Sequence, residues 1–212
     1  LSSAKGMDIK MSKVLIIGGG AAGMMAAVAA GENGHDVWLY EKNDRLGRKL
    51  FITGKGRCNI TNAGDMETLF ASVMSNPKFL YSSFYTFTND QVIDFFEELG
   101  VRTKIERGNR VFPLSDHSSD VIAGLKRKLE TLGVHICLET EVEKIEERDG
   151  KFQAIVLKGG QRKTGDACIV ATGGISYPAT GSTGDGYRFA KENGHQITKL
   201  YPALVPMEVR EW

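Results

Sequence analysis

The sequence predicts an α/β fold: a parallel sheet that opens with a βαβ unit and carries an inserted antiparallel β-meander and a helical segment. Three observations predict it. Residues 14–17 (VLII) form a continuous apolar, β-branched run, the pattern of a strand buried on both faces of a parallel sheet. Gly18, Gly19 and Gly20 follow directly, and the Ala- and Met-rich stretch 21–33 then closes at Gly34 as a helix stop. A second strand at 36–40 completes strand, turn, helix and strand within about 30 residues, the span of a right-handed crossover.

Residues 42–64 are rich in Gly, Lys, Arg, Asn and Thr without period, and are placed in an extended, ligand-facing loop. Helices are expected at 66–75, at 78–86 and, from the spacing of Val92, Ile93, Phe95, Phe96 and Leu99, at 89–99. The aromatic residues Phe79, Tyr81, Phe84, Tyr85 and Phe87 are assigned to the core. Ser118 or Ser119 is expected to cap a helix running through Ile122, Leu125, Leu129 and Leu132, with Lys126-Arg127-Lys128 on its solvated face. Strands at 134–138, 142–147 and 152–157 read as an antiparallel meander, with turns at Asp149-Gly150 and Gly159-Gly160, before one last buried strand at 168–171. A short helix at 184–193 follows, with Asp185 as its expected cap.

Charge and cysteine usage narrow the function classes. Lys plus Arg (27) nearly balance Asp plus Glu (26), so no general positive field invites nucleic acid or anionic lipid, and neither is expected as a partner. Cys58, Cys137 and Cys168 show no CxxC spacing, which argues against a disulfide framework or a metal site and fits a reducing cytoplasm. The uncharged stretch 14–31 resembles a secretion signal, but its glycines interrupt the apolar helix that such a signal or a membrane span needs. His35, His117, His135 and His195 fall in turns or strand starts without ligand spacing.

The chemistry-bearing motif is Gly18-Gly19-Gly20-Ala21-Ala22-Gly23, a GxGxxG placed between a buried strand and a helix. Gly18 permits the tight turn, Gly20 lets backbone approach a pyrophosphate, and Gly23 lets helix and strand pack closely. The helix N-terminus offers free N–H groups to phosphate at Gly20, Ala21 and Ala22. Glu41 ends the second strand, where a carboxylate accepts hydrogen bonds from an adenosine ribose. A 2′-phosphate beside it would meet repulsion of about 4 kcal/mol at contact, so NADP is disfavoured at this site. FAD is preferred to NAD because a polar loop, helices and a meander intervene before the sheet resumes. NAD dehydrogenases continue promptly with further βα units. The resumed strand ends in Ala171-Thr172-Gly173-Gly174, small residues that again allow close approach to a ligand.

Three stretches, VLIIGGGAAGMMAA, EKNDRLGRKLFITGKGRCNITN and ATGGISYPATGSTGDGYRFAKENGH, resemble the two-dinucleotide-binding-domain flavoproteins. The likeness is closer to a bacterial family of FAD-dependent oxidoreductases described as aminoacetone-oxidase-like or bile-acid-reductase-like. It implies a Rossmann-like FAD-binding domain over residues 13–205, with Gly18, Gly20, Gly23, Glu41 and Lys42 holding the ADP half and the backbone at Val142 touching adenine. It likewise implies that Arg48, Lys49, Gly56, Arg57, Cys58 and Asn59 lie along the pyrophosphate, ribityl chain and flavin. Arg48, Lys49 and Arg57 would supply charge-assisted donors.

Residues 1–12 read as a disordered or non-native lead, with Met7 or Met11 as a natural start, and 206–212 as the beginning of a substrate domain. Lys55 and Arg57 would lower the pKa of Cys58 if it served as a nucleophile or redox partner; without a second Cys near in sequence, a small buried thiol beside the cofactor is the reading preferred. The function expected is hydride transfer through flavin N5 with a small-molecule substrate, NADH or NADPH serving as transient donor. A non-catalytic FAD- or ADP-binding module and an NAD-dependent dehydrogenase stay open beside it; the oligomeric state is not read from the sequence.

Overall fold

The structure, a computed structural model, describes residues 11–202. Strand β1 (Lys13–Ile17), helix α1 (Ala21–Glu32) and strand β2 (Asp36–Tyr40) form the expected βαβ unit. β1 and β2 run parallel, with Val14 opposite Val37 and Ile17 opposite Tyr40. Alternation divides their side chains between two layers. Val14, Ile16, Val37 and Leu39 pack against Met24, Ala27 and Val28 of α1, whereas Leu15, Ile17 and Tyr40 face the other side. Ile16 and Leu39 are fully buried, worth about 1.5–3 kcal/mol each in transfer free energy.

After β2 come α2 (Arg48–Ile52), a 3₁₀ turn Thr53–Gly56, β3 (Thr61–Asn62) and α3 (Met66–Ala71). A 3₁₀ turn Pro77–Leu80, α4 (Tyr81–Thr86), α5 (Asn89–Glu98) and a hairpin of β4 (Thr103–Glu106) and β5 (Arg110–Pro113) follow. Thr88 and Gln91 cap α5 reciprocally, a capping box that sets its start. Helix α6 (Ser118–Thr131) covers α1 and leads into β6 (His135–Cys137). Strands β7 (Val142–Arg148), β8 (Lys151–Leu157) and β9 (Arg162–Thr164) make an antiparallel sheet whose Val142, Ile155 and Leu157 close over Leu15, Ile17 and Tyr40. β10 (Ala167–Val170) returns to pair parallel with β1, and α7 (Asp185–Glu192) adds Phe189 to the same layer. The main sheet has the order β10-β1-β2-β6.

Several expectations are corrected. The strand expected at 134–138 is not part of the meander: β6 pairs parallel with β2, because α6, lying directly before it, supplies the crossover that a parallel neighbour requires. The meander takes β9 instead, and the hairpin β4–β5 was not foreseen because its alternation is short and interrupted by Arg107-Gly108-Asn109. The region 42–64 is no continuous loop but holds α2, a 3₁₀ turn and β3. The helices expected at 66–75 and 78–86 are shorter, broken where Asn76 takes φ 50° and Pro77 opens a new turn. β10 is an edge strand, with Ile169 and Val170 exposed, so the expectation of a last buried strand fails there.

The aromatic residues placed in the core lie largely outside it. Phe79 is 79% exposed and Tyr81, Tyr85 and Phe87 are exposed too; the rings of Phe70, Tyr81, Phe84 and Tyr85 cluster with one another instead. Neither Ser118 nor Ser119 caps α6, since its N-cap is His117, and the buried Ser118 hydroxyl donates to the Phe51 carbonyl. Ser12 is joined to the sheet, its carbonyl accepting from Asp36 N–H at 3.0 Å and its own N–H donating to His35 Nδ1, so order begins before residue 13. The rest of the expected lead at 1–10 and the boundary at 205/206 lie outside the described residues.

Candidate functional site

A cavity of about 520 Å³ opens at the carboxyl ends of β1, β2 and β10, where the chain leaves β1 toward one neighbour and returns on the other. Ligands of open α/β sheets bind at such a switch point. One wall is the turn from β1 into α1. Gly18 takes φ 106°, and its N–H donates to the Tyr40 carbonyl at 2.8 Å, folding the turn back on β2. A Cβ on Gly18 would lie 2.5 Å from the Ala171 carbonyl oxygen, and one on Gly23 would overlap the Gly18 oxygen, so both glycines serve close backbone packing. Gly20 differs: a Cβ there would meet nothing within 4 Å, because it faces the cavity. α1 has no acid in its first turn and no side-chain cap, and among the described residues the Gly20, Ala21 and Ala22 N–H groups have no acceptor. The geometry is that of an anion seat.

Glu41, 7% exposed, lines the cavity beside this seat. Its Oε2 accepts from Gly19 N–H at 2.7 Å, and its Oε1 from Asn43 N–H at 2.8 Å and Asn43 Nδ2 at 2.6 Å. Three donors thereby offset the desolvation of the carboxylate. The first turn of α2 brings Arg48 and Lys49 to the cavity, because Gly47, at φ 70°, donates its N–H to the Gly19 carbonyl and anchors the helix start there. Neither cation has a carboxylate partner among the described residues; Arg48 donates to Asn43 Oδ1 at 2.8 Å. Lys42 also lines the cavity, but its Nζ is held by Asp185 and by Thr183 Oγ1, each at 2.7 Å. Desolvation works against ionisation of Asp185, yet the bonds from Lys42 and Thr183 prevail and hold its carboxyl below the usual range. Asp185 is therefore an ion-pair partner across the cavity and not the cap expected of it; Gly184 occupies the N-cap of α7.

Of the residues singled out in the sequence, the structure gathers Gly18, Gly20, Ala21, Ala22, Glu41, Lys42, Arg48, Lys49, Val142, Ala171, Thr172 and Gly173 around one cavity. Thr172 Oγ1 is buried there without a partner among the described residues. Gly56, Arg57, Cys58 and Asn59 do not line it. The Arg57 guanidinium lies over the Phe112 ring, 4.1 Å from its centroid, and pairs with Glu106 at 2.9 Å and Asp116 at 3.3 Å. Arg57 bonding holds the Glu106 carboxyl below its ordinary range, and Lys104, ahead of Arg57, does the same for Asp116. Cys58 is buried at φ 62°, and burial pushes its thiol pKa up, as the small buried thiol requires and contrary to what a nucleophile activated by Lys55 and Arg57 would show. Cys137 and Cys168 are half-buried, not fully core, and burial raises both, Cys168 to about 12.

Sequence reasoning missed Asn43, Thr140, Thr180, Gly181 and Ser182, which also border the cavity. Gly181 carried a signal, since φ 100° admits little but glycine, and its Cβ would lie 2.6 Å from Asn43 Nδ2. The others are short polar residues whose role depends on which strand end they meet.

The chain matches the family model described as HI0933-like protein Rossmann domain over residues 12–201. It is 35% identical over 205 residues to a 3-dehydro-bile acid delta(4,6)-reductase of Clostridium scindens, covering 95% of this chain and 48% of that protein. It is 30% identical over 203 residues to a ribosomal RNA dihydrouridine synthase of Haemophilus influenzae, covering 94% of this chain and 50% of that one. The chain thus spans about half the length of these relatives. Among solved structures, the open conformation of a flavocytochrome c3 fumarate reductase superposes with TM-score 0.59 at 21% identity, covering 87% of this chain and 40% of that one, which shows a shared fold. With the glycine turn, the parallel sheet and the family match in agreement, the chain belongs to the HI0933-like family, whose Rossmann domain it forms.

Proposed function

We propose that this chain is the FAD-binding part of a flavin-dependent oxidoreductase. The observation that carries the reading is the open space above Gly20: an uncapped helix N-terminus, free of acids, faces Arg48 and Lys49 across a cavity large enough for a nucleotide. The residues fit the group. The N–H groups of Gly20, Ala21 and Ala22 with Arg48 and Lys49 would hold the diphosphate, Glu41 a ribose hydroxyl, and Val142 the adenine side. Arg57 and its partners would hold the loop 53–59 beside the cavity, tied at Thr53 by the Cys58 N–H. Bound FAD supplies two-electron chemistry, exchanging hydride through N5 with a substrate and with NADH or NADPH.

The relatives' names support a substrate class. Dihydrouridine is uridine with the carbon–carbon double bond next to a carbonyl saturated, and a delta(4,6)-reductase saturates ring double bonds of an oxo bile acid. Saturation of a carbonyl-conjugated double bond is common to both, and a small molecule of that kind is the substrate we assign. The near-neutral charge favours it over a polynucleotide, and the cysteine pattern supports a reducing cytoplasm as its compartment. No described helix is long and apolar enough to cross a membrane.

Titration of the purified chain with FAD, FMN and NAD, read by flavin fluorescence and calorimetry, tests the cofactor. Tight FAD binding with weak FMN and NAD binding supports it; preference for NAD overturns it. The full-length protein, assayed for NADH oxidation with a cyclic enone and with uridine-containing RNA, then separates the two substrate classes.

A further inference from the structure

Asn43 joins the Glu41 carboxylate to the Thr180 carbonyl and to the Arg48 guanidinium. Its N–H and Nδ2 both donate to Glu41 Oε1, Nδ2 also reaches the Thr180 carbonyl at 3.3 Å, and Oδ1 accepts from Arg48. A carboxylate offers about four acceptor positions. Asn43 fills the two on Oε1 and Gly19 N–H fills one on Oε2, which leaves a single acceptor position, on Oε2, beside the glycine turn. The amide is matched to this place: it gives a donor to a carboxylate and an acceptor to a guanidinium at once. Gly181 lets the segment at 180–182 lie against it, where any Cβ would press on Nδ2.

We propose that Asn43 is a positioning residue of the dinucleotide site, fixing Glu41 so that it accepts from one ribose hydroxyl and turning Arg48 toward the diphosphate. The proposal rests on the dinucleotide reading of the cavity. It deepens that reading in one respect: the sugar is recognised through one of its two hydroxyls, and its recognition is coupled to the phosphates through a single amide. Asn43→Ala removes both halves of the link, whereas Asn43→Asp keeps the acceptor for Arg48 and sets a second negative charge against Glu41.

Calorimetric titration of the chain with ADP, 2′-deoxy-ADP and 3′-deoxy-ADP, with ligand-free melting of each variant, tests this. The wild type is expected to disfavour one deoxy analogue by about tenfold and to bind the other like ADP. Both variants are expected to lose most of that discrimination while still melting cooperatively, no more than about 10 °C below wild type. Discrimination against both analogues or neither overturns the single-hydroxyl arrangement. Variants that keep the wild-type ratio, or that weaken all three ligands alike, overturn the positioning role. Should wild type bind neither ADP nor FAD, the dinucleotide reading itself fails; should wild type bind and discriminate while both variants behave like it, only the role of Asn43 fails.

Discussion

Gly20 and Gly23 sit three residues apart in one motif, yet the structure gives them opposite tasks, and alanine at each position separates folding from binding. At Gly23 the new Cβ overlaps the Gly18 oxygen and lies 3.0 Å from the Gly18 carbonyl carbon and 3.4 Å from the Ala171 Cβ. The obstacles are mostly backbone, so α1 must retreat from β1. Overpacking of this kind costs about 3 kcal/mol at the upper end, and the better helix propensity of alanine returns about 1 kcal/mol. The net of about 2 kcal/mol lowers the melting temperature by about 4–8 °C in a chain of this size. At Gly20 the Cβ enters empty space at φ −80°, an ordinary conformation for alanine. Loss of glycine at the N-cap and reduced freedom of the unfolded chain are each within about 1 kcal/mol and opposed, so the melting temperature stays within about 2 °C. That Cβ nevertheless stands where, in the proposed site, phosphate oxygens would approach the amides. Losing one charge-assisted hydrogen bond, about 1.5–3 kcal/mol, weakens FAD at least about tenfold. Differential scanning fluorimetry without ligand and flavin-fluorescence titration measure the two effects. A Gly20→Ala protein that binds FAD like wild type, or one that melts like Gly23→Ala, refutes the assignment of the helix N-terminus as the phosphate seat.

The double change Arg48→Ala with Lys49→Ala should reduce FAD affinity by about one to two orders of magnitude and flatten its dependence on salt, checked by titration across ionic strengths. Because the Asp185 carboxyl is held below its ordinary value of 3.8, its pairing stabilises the fold above that pH and the contribution fades as pH falls through the depressed value. Melting curves of Asp185→Asn against wild type should therefore differ at neutral pH and converge in acid; a constant difference refutes the link with Lys42. Burial raises the pKa of Cys58, Cys137 and Cys168, so at pH 8 a thiol reagent should label the native chain far more slowly than the unfolded one, which exposes all three. Fast native labelling of Cys58 would show that its loop opens.

What was legible in the sequence was what local pattern decides. The strand–glycine–helix–strand unit was read to within a residue because apolar run, turn chemistry and helix stop agree there. The cavity wall from Gly18 to Glu41 followed from it. Long-range choices were hidden: whether residues 135–137 join β2 or the meander depends on where α6 deposits them, and nothing in their own composition says so. The same holds for Arg57. With Arg48, Lys49 and Lys55 it suggests a basic ligand loop, but Glu106 and Asp116, brought near by an unforeseen hairpin, engage its charge. Helical aromatics at 79–87 carry the composition of a core without the spacing that would turn them inward.

Strand β1 lies between a neighbour close in sequence and one from the far end of the described chain, residue 17 pairing with residue 170. The first pairing closes a short loop; the second closes a much longer one, at a higher cost in chain entropy. Gly18 and Ala171, packed backbone to backbone at the cavity, are brought together by that longer closure. Ligand competence thus depends on the β1–β10 pairing, and a molecule touching both walls stabilises it, so apo and loaded chains should differ in how readily β10 comes undone.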